Sequence, residues 1–219
     1  MPTGSEETGQ HDDEVWTQDD VVESLAKRAQ NQVDPEAFLS EAGAVEACRD
    51  GTDLCLTESF EGEWLAAAAT LREDAARRRE QAAALFDLEG EPAFEEDDML
   101  LVLTEDGRRI STWVSEGALV ADLAADAVLR DSETGWADVW VDQRPRLLRG
   151  LRAFYERCPL CGGDLAVSDD TLLSCRQSWE VYVVRCTACH EHLLEIDPPQ
   201  VEGTGTQTTE RPVDGGFTR

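Results

Sequence analysis

The spacing of apolar side chains divides the chain into a helical first part and a mixed second part. Over residues 17–88 apolar positions recur every three or four residues, which is the period of a helix with one buried face. Asp34 followed by Pro35 marks a helix start, because aspartate caps the first turn and proline fits its first position. The sequence therefore predicts a helical segment, residues 17–88, that ends in one long helix over 61–88.

The apolar positions within this long helix form a seam. Its members alternate steps of four and three residues, a heptad pattern interrupted by Arg78. We predict that the helix packs in a small bundle. A dimer formed through helix 61–88 is the alternative, although a seam of about three heptads is short for a coiled coil. The apolar members are Trp64, Ala68, Leu71, Ala75, Ala82 and Leu85.

A β pattern begins after this helical segment. Two runs rich in strand-forming residues, 99–104 and 108–114, flank Asp106-Gly107, a dipeptide typical of tight hairpin turns. We predict that the two runs pair as an antiparallel hairpin. Ser115 stands where it can cap a following helix.

The pattern switches twice more before the cysteine-rich part of the chain. Residues 136–141 alternate apolar and polar side chains, which predicts a third strand, and residues 146–158 return to helical spacing. The order predicted for residues 98–156 is thus ββαβα, and we assign residues 16–156 to one α+β domain. The pattern alone does not show whether its helical and ββαβα segments share one core.

Two Cys-x-x-Cys pairs follow among short strand-like runs. Each pair offers two thiolates from one tight turn, and two such turns complete the tetrahedral sulfur site of structural zinc. The string CPLCGG at the first pair resembles the first knuckle of the zinc-ribbon family, and the resemblance covers about residues 156–197. It implies a C-terminal zinc ribbon, residues 157–197, with a structural Zn²⁺ ion. The ligands would be Cys158, Cys161, Cys186 and Cys189.

Two other functions compete with zinc binding for these cysteines. The string from Cys186 to His190 matches a haem attachment motif, and either pair could act as a redox dithiol. Haem attachment would leave the other pair unused, and a thioredoxin-like dithiol requires a βαβ setting that these runs do not provide. A closed zinc site is the preferred interpretation, and a dithiol redox protein remains an alternative.

The other thiols and imidazoles receive modest roles. Cys48 and Cys55 are interpreted as two separate thiols near a helix end, with a second metal half-site or a redox pair as the alternatives. Cys175 is interpreted as a small buried side chain in a strand. His190 and His192 could each replace a cysteine ligand. Surface or strand-packing roles are preferred for both histidines.

Composition changes the picture mainly through charge. Forty-seven acidic and nineteen basic residues give a net charge of −28, and the basic residues are eighteen Arg and a single Lys. Such a chain repels itself at low salt, whereas at molar salt the Debye length is about 3 Å and the repulsion is screened. The composition resembles that of proteins from salt-accumulating extreme halophiles. On this interpretation the acidity is an adaptation to the solvent and says little about partners.

The chain ends and the absence of long apolar runs bear on location. Residues 1–15 and 198–219 are polar without periodicity and are predicted to be a disordered arm and tail. No leader pattern and no apolar run of about 18 residues is visible, so we expect a cytoplasmic protein without a membrane span. In that compartment paired cysteines more often bind metals than form disulfides.

Function follows from these features only in outline. The sequence contains no phosphate-binding loop, dinucleotide fingerprint or hydrolase motif, so an enzyme is not expected. The preferred hypothesis is an adaptor or regulatory protein that acts through contacts with a protein partner. A nucleic-acid-binding regulator is the alternative, with Arg149 and Arg152 on one helical face as its contact residues. Against it, residues 157–197 carry seven acidic residues and three arginines.

Overall fold

The fold is α+β, with five α-helices and three small antiparallel sheets in the described part of a computed structural model. The described residues are 33–49, 51, 53–97, 100–132, 135–173 and 178–196. The predicted terminal arm and tail, the helix predicted from residue 17 and the strand position of Cys175 lie outside them.

The helices and strands alternate along the chain in small groups. The helices are α1 Pro35–Glu41, α2 Glu58–Glu73, α3 Ala75–Phe86, α4 Glu116–Asp131 and α5 Arg144–Leu151. Single 3₁₀ turns lie at Trp136–Asp138 and Arg152–Phe154. The strands are β1 Val45–Ala47, β2 Leu54–Leu56, β3 Pro92–Asp97, β4 Leu100–Glu105, β5 Arg108–Trp113, β6 Leu165–Leu173, β7 Ser178–Cys186 and β8 His192–Ile196. They form the sheets β1-β2, β3-β4-β5 and β6-β7-β8.

One hydrophobic core joins the helical part to the part that follows it. The buried cluster extends from Leu39 in α1 to Tyr155 after α5, so the two segments do not form separate cores. Helix α4 is buried on nearly every side, as its run of small and apolar residues allows. Trp64 of α2 stacks on Tyr155 with ring centroids 3.9 Å apart, and its indole N–H donates to the Ala121 carbonyl at 3.0 Å.

Two buried aspartates on α4 accept hydrogen bonds from tryptophans. Trp136 donates its indole N–H to Asp126 at 2.7 Å, and Trp113 donates to Asp122 at 2.8 Å. Buried polar groups are costly unless they are paired, and each carboxylate therefore fixes the position of one large ring. Arg130 also donates to Asp126, at 2.9 Å.

The single long helix predicted over 61–88 is wrong, because the chain breaks at Asp74. This residue has extended φ and ψ angles of −124° and 97°, and its carboxylate caps α3 by accepting two backbone N–H groups at 2.9 and 3.0 Å. Arg78 donates to the carbonyls of Arg72 and Leu71 in the last turn of α2, at 3.1 and 3.4 Å. The arginine that interrupts the heptad pattern thus closes the corner between two helices.

The seam predicted for a dimer faces the chain's own core. Its large members pack beneath α4 rather than on the outer surface. The buried members, each at most 5% exposed, are Trp64, Ala68, Leu71, Ala82 and Leu85.

The third strand predicted over 136–141 is also wrong. Gly135, with φ of 72°, leads into a 3₁₀ turn instead. Arg144 then occupies carbonyls that a strand would offer to a neighbour, because its guanidinium donates to Val139 at 2.9 Å and to Ala137 at 3.3 Å. Trp136 and Val139, three positions apart, are buried, whereas Trp140 and Val141 are exposed, so burial here does not follow the alternation of a strand.

The hairpin predicted around Asp106-Gly107 is confirmed. Strands β4 and β5 pair antiparallel, and the two turn residues have φ of 50° and 75°, as a type I′ turn requires. The cap predicted at Ser115 is confirmed as well, since its hydroxyl accepts the N–H of Ala118 at 3.0 Å. The acidic strand β3, which the pattern did not predict, pairs with the other side of β4.

Cys48 and Cys55 are not separate thiols as predicted. They are joined by a disulfide across the β1–β2 hairpin, with their Cα atoms 5.1 Å apart. The prediction failed because two strands of three residues each are too short to produce a recognisable β pattern.

The C-terminal sheet is fixed to the helical core along its edge strand β8. Side chains of the core donate hydrogen bonds to three carbonyls of this strand, which would otherwise be open edge groups. The sheet therefore packs on the preceding domain. The pairs are the Ser115 hydroxyl with His192, Arg152 with Leu193 at 2.6 Å, and Arg149 with Glu195 at 3.0 Å.

A carboxylate from the same sheet contacts the start of α4. Glu191 accepts the N–H of Gly117 at 2.7 Å, and a negative charge is favourable at a helix N-terminus. A Cβ atom placed on Gly117 would lie 2.5 Å from Cγ of Glu191. Glycine at this position therefore allows the close approach of the two parts.

A buried ion pair lies behind the same contact. Arg152 Nε lies 3.0 Å from Asp122 Oδ1, and their side chains are 8% and 3% exposed. Burial raises the pKa of Asp122 to about 6, although Arg152 and the Trp113 indole oppose the increase. Loss of one partner would leave the other charge buried and uncompensated.

Gly117→Ala is expected to weaken the contact between sheet and helix. Alanine normally stabilises a helix by roughly 0.5–1 kcal/mol relative to glycine. Here the methyl group displaces Glu191, and a hydrogen bond to a charged group contributes roughly 1.5–3 kcal/mol. A net loss of about 1 kcal/mol in the free energy of unfolding is expected in urea titrations. Gly150→Ala in α5 is the matched control, since no atom lies within 4 Å of its new Cβ. Equal stabilisation by both variants would contradict the contact.

Asp122→Asn is expected to remove a pH dependence of stability. A carboxyl group whose folded pKa lies above its unfolded value stabilises the fold below the unfolded pKa of about 4, and this contribution disappears as the pH rises through about 6. Relative to the parent chain, the variant should therefore gain about 2 kcal/mol between pH 4 and pH 6.5. Asp131→Asn, at the exposed end of the same helix, controls for the loss of one carboxylate. Parallel pH curves for the parent and Asp122→Asn would contradict the assignment.

Candidate metal centre

The first Cys-x-x-Cys pair lies in a tight turn between the core and β6. Cys158 donates its N–H to the Gly163 carbonyl at 2.8 Å, and Gly162 donates to the Cys158 carbonyl at 2.9 Å. Gly162 has φ of 72°, a left-handed conformation that glycine adopts without strain. The N–H of Gly163 points at the Cys161 sulfur, 3.4 Å away.

The second pair lies in a turn of the same construction between β7 and β8. Cys186 donates its N–H to the Glu191 carbonyl at 2.9 Å, and His190 donates to the Cys186 carbonyl at 3.0 Å. His190 has φ of 62°, so it occupies the left-handed position that Gly162 occupies in the first turn. The N–H groups of Ala188 and Cys189 lie 3.4 and 3.5 Å from the Cys186 sulfur.

The two turns face each other and bring four sulfur atoms together. The Sγ atoms of Cys158 and Cys189 are 3.7 Å apart, those of Cys161 and Cys186 are 3.5 Å apart, and all four lie within 4.8 Å of one another. A tetrahedron with metal–sulfur bonds of about 2.3 Å has sulfur–sulfur edges of roughly 3.8 Å. The cluster therefore has the dimensions of a four-thiolate metal site.

Gly163 sets how closely the turns approach. A Cβ atom there would lie 2.8 Å from the Ala188 Cβ and 3.3 Å from the sulfurs of Cys161 and Cys186. The contact distance of 2.8 Å is shorter than two carbon atoms tolerate. The absence of a side chain at residue 163 is thus a steric requirement of the cluster.

Burial and hydrogen bonding give the cysteine thiols of the cluster different pKa values. Burial raises the pKa of Cys158 well above its ordinary range and also raises that of Cys189. Burial acts in the same direction at Cys186, but the N–H groups of Cys189 and Ala188 outweigh it and bring its pKa to about 7. One thiolate is therefore accessible near neutral pH, and a cation at the centre would favour ionisation of the rest.

The convergence of all four sulfurs bears on the alternatives. A haem attachment site or a redox dithiol uses one pair, whereas here each pair completes the other, as a shared ion requires. His192 lies beside Glu195, with Nε2 3.6 Å from Oε1, and neither it nor His190 belongs to the cluster. Four thiolates close the coordination sphere, so the arrangement can hold an ion but offers no open position for a reacting water.

The two arginines predicted as external contacts serve the fold instead. Arg152 is buried at 6% exposure, where it binds Asp122 and the β8 carbonyl of Leu193. Arg149 is exposed, but its guanidinium donates to the Glu195 carbonyl. Arg152 therefore does not share an exposed face with Arg149, because its guanidinium pairs with Asp122 inside the core.

Sequence reasoning missed Ser115, Gly117 and Glu191 as residues that position the cluster. The capping pattern at Ser115 and the glycine in the first turn of α4 were visible signals. Their partners lie more than 70 positions away along the chain, at His192 and Glu191, and no local pattern predicts such contacts.

None of the helices in the described part of the chain is long and apolar enough to cross a membrane. Comparisons with curated proteins and with solved structures find no match. Two family models do match: the central domain of a family of unknown function, DUF8054, over residues 34–153, and the C-terminal domain of the same family over residues 156–196. Because the central-domain match alone covers more than half of the 219 residues, the chain belongs to the DUF8054 family.

Proposed function

We propose that the protein is a non-enzymatic adaptor whose zinc ribbon presents an apolar sheet face to a protein partner. The observation that carries the proposal is the combination of a closed four-cysteine cluster with exposed apolar side chains on the same small sheet. The cluster gives the ribbon a fixed shape, and the core fixes its orientation.

Zinc is the ion that fits the donor set best. Four sulfur ligands at tetrahedral distances are typical of structural Zn²⁺ sites, and two Cys-x-x-Cys turns are their usual source. Cys158, Cys161, Cys186 and Cys189 would hold the ion. It would supply folding free energy to a sheet whose own buried cluster consists of only a few residues, among them Val184, Leu193 and Leu194.

The apolar face supports a role in binding. Tyr182 on β7 lies directly opposite Ile196 on β8, and Val167 on β6 projects from the same side of the sheet. These side chains are 40%, 37% and 65% exposed. Tyrosine and aliphatic side chains grouped on one surface are typical of the centre of a protein interface.

A protein partner is favoured over a nucleic acid by the placement of charge. Arg152 is buried and the Arg149 guanidinium binds the ribbon itself, which withdraws the basic residues proposed for phosphate contacts. Nucleic-acid affinity depends largely on such contacts. Binding to RNA or DNA is therefore the alternative that nuclease treatment would reveal.

A cytoplasm rich in salt is the setting we propose. A net charge of −28 is compatible with a compact fold when ions screen it, and molar KCl supplies that screening.

The purified chain is expected to contain about one zinc ion per molecule in molar KCl. Cys161→Ser should abolish this content and lower the melting temperature, because three thiolates leave the coordination incomplete. Cys55→Ser is the control for zinc content alone, because it opens the Cys48–Cys55 disulfide but removes no cysteine of the cluster. Metal analysis and thermal unfolding provide the readouts. A parent chain without zinc, or a Cys161→Ser variant with full content, would refute the site.

Ile196→Asp is expected to abolish partner binding without loss of zinc, because it places a charge in the apolar face. The measurement is recovery of one protein by the immobilised chain from an extract of the source cells in molar KCl. Val141→Asp is the matched control, because Val141 is equally exposed, at 37%, but lies outside the ribbon.

Nuclease treatment distinguishes the two classes of partner. Protein recovery that survives nuclease and is lost only with Ile196→Asp supports the adaptor. Equal recovery by both variants, or retention of nucleic acid that Ile196→Asp does not reduce, would count against the apolar face.

A further inference from the structure

The disulfide between Cys48 and Cys55 is separate from the metal cluster. Among the described cysteines, the four sulfurs of the cluster form one group and this pair forms the other. It crosses the β1–β2 hairpin at its loop end, next to the backbone hydrogen bond from Cys48 N–H to the Asp53 carbonyl at 2.8 Å. The proposed adaptor function makes no use of it.

The hairpin has other supports besides the disulfide. Its strands pair in register from Val45 with Leu56 to Ala47 with Leu54. Val45 is buried, and Leu54 and Leu56 pack against the main core. At the base, Thr57 donates its N–H to Ala44 at 3.1 Å and its hydroxyl to Gly43 at 2.6 Å. The backbone can therefore keep its position when the covalent bond is opened.

The two sulfurs differ in their access to solvent. Cys55 is exposed, whereas Cys48 is partly buried. Attack on a disulfide requires approach of a thiolate to one sulfur and departure of the other. Cys55 is the sulfur that an external thiolate can reach, and Cys48 is the leaving group.

Charges around the pair favour particular reactants. Glu46 lies opposite Cys55 in the strand register, and Asp53 lies opposite Cys48, while Arg49 follows Cys48 directly. Two carboxylates against one guanidinium, within a strongly acidic chain, disfavour the approach of anionic thiols. A dithiol without other ionised groups carries only the single charge of its attacking thiolate, and is therefore repelled less than a thiol that also carries carboxylates.

We propose that Cys48 and Cys55 form a reversible thiol–disulfide exchange site for uncharged low-molecular-weight dithiols. A thiolate of the dithiol attacks the Cys55 sulfur, forms a mixed disulfide and releases Cys48 as a thiolate, which takes up a proton. The second thiol of the reactant loses its proton and attacks its own sulfur of the mixed disulfide, which frees Cys55. The protein disulfide gains two electrons, and the dithiol is oxidised to a cyclic disulfide.

The test treats the full zinc-loaded chain in molar KCl with dithiothreitol and maps alkylated cysteines by mass spectrometry. The expected result is labelling of Cys48 and Cys55 while the four cluster cysteines stay protected and the circular dichroism spectrum is unchanged. Oxidised dithiothreitol should restore the disulfide after the reductant is removed. The double variant Cys48→Ser, Cys55→Ser should show no reductant-dependent labelling.

Two results would overturn the exchange site. The pair could resist the dithiol until the chain is unfolded, which would make it a purely structural cross-link. It could also be labelled fully before any reductant is added, even after treatment with oxidised dithiothreitol. Labelling of Cys158, Cys161, Cys186 or Cys189 in the untreated chain would instead contradict the zinc proposal and leave this one standing.

Discussion

The arrangement of the helical core and the C-terminal sheet depends on the contacts of the Arg152 guanidinium. It binds a carboxylate inside the helical core and a carbonyl at the edge of the C-terminal sheet, and it is buried while doing so. A buried cation must be paired to be tolerated, so the requirement for pairing acts in both directions. The buried carboxylate of Asp122 has this positive charge beside it only while the sheet-facing arginine remains in place.

This dependence explains why a small sheet can hold a defined orientation. The C-terminal sheet buries few apolar side chains, and its closed cluster fixes only the end that carries the two turns. Hydrogen bonds from Ser115, Arg149 and Arg152 to β8 fix the orientation of the sheet on the core. Polar contacts along one edge thus substitute for a large apolar interface.

Local chemistry predicted much of the molecule. The Asp34-Pro35 start, the Asp106-Gly107 turn and the Ser115 cap are confirmed, since each depends on neighbours in sequence. The four cysteines were also identified from their spacing, and they do converge. The identity of their metal is inferred from the chemistry of the four sulfur donors, both from the sequence and from the structure.

The failures share a cause. Asp74 could continue a helix or cap a new one, and residues 136–141 could alternate in a strand or a turn. In each case a distant or competing partner decides: the carboxylate caps α3, and Arg144 takes the carbonyls of the would-be strand. Arg152 was assigned to the surface because its buried partner, Asp122, lies on another helix. Periodicity gives the face of an element but not the element that covers it.

The contact at Gly163 has a consequence for how distant members of the family can be recognised. The methyl group of Ala188 occupies the space that a side chain at residue 163 would need, directly beside two of the sulfurs. A larger residue at either position would separate the turns even if all four cysteines were retained. A small residue at both positions is therefore a sequence signature that does not depend on the length of the loop between the cysteine pairs. It would distinguish chains able to close this cluster from chains that merely carry the same cysteine spacing.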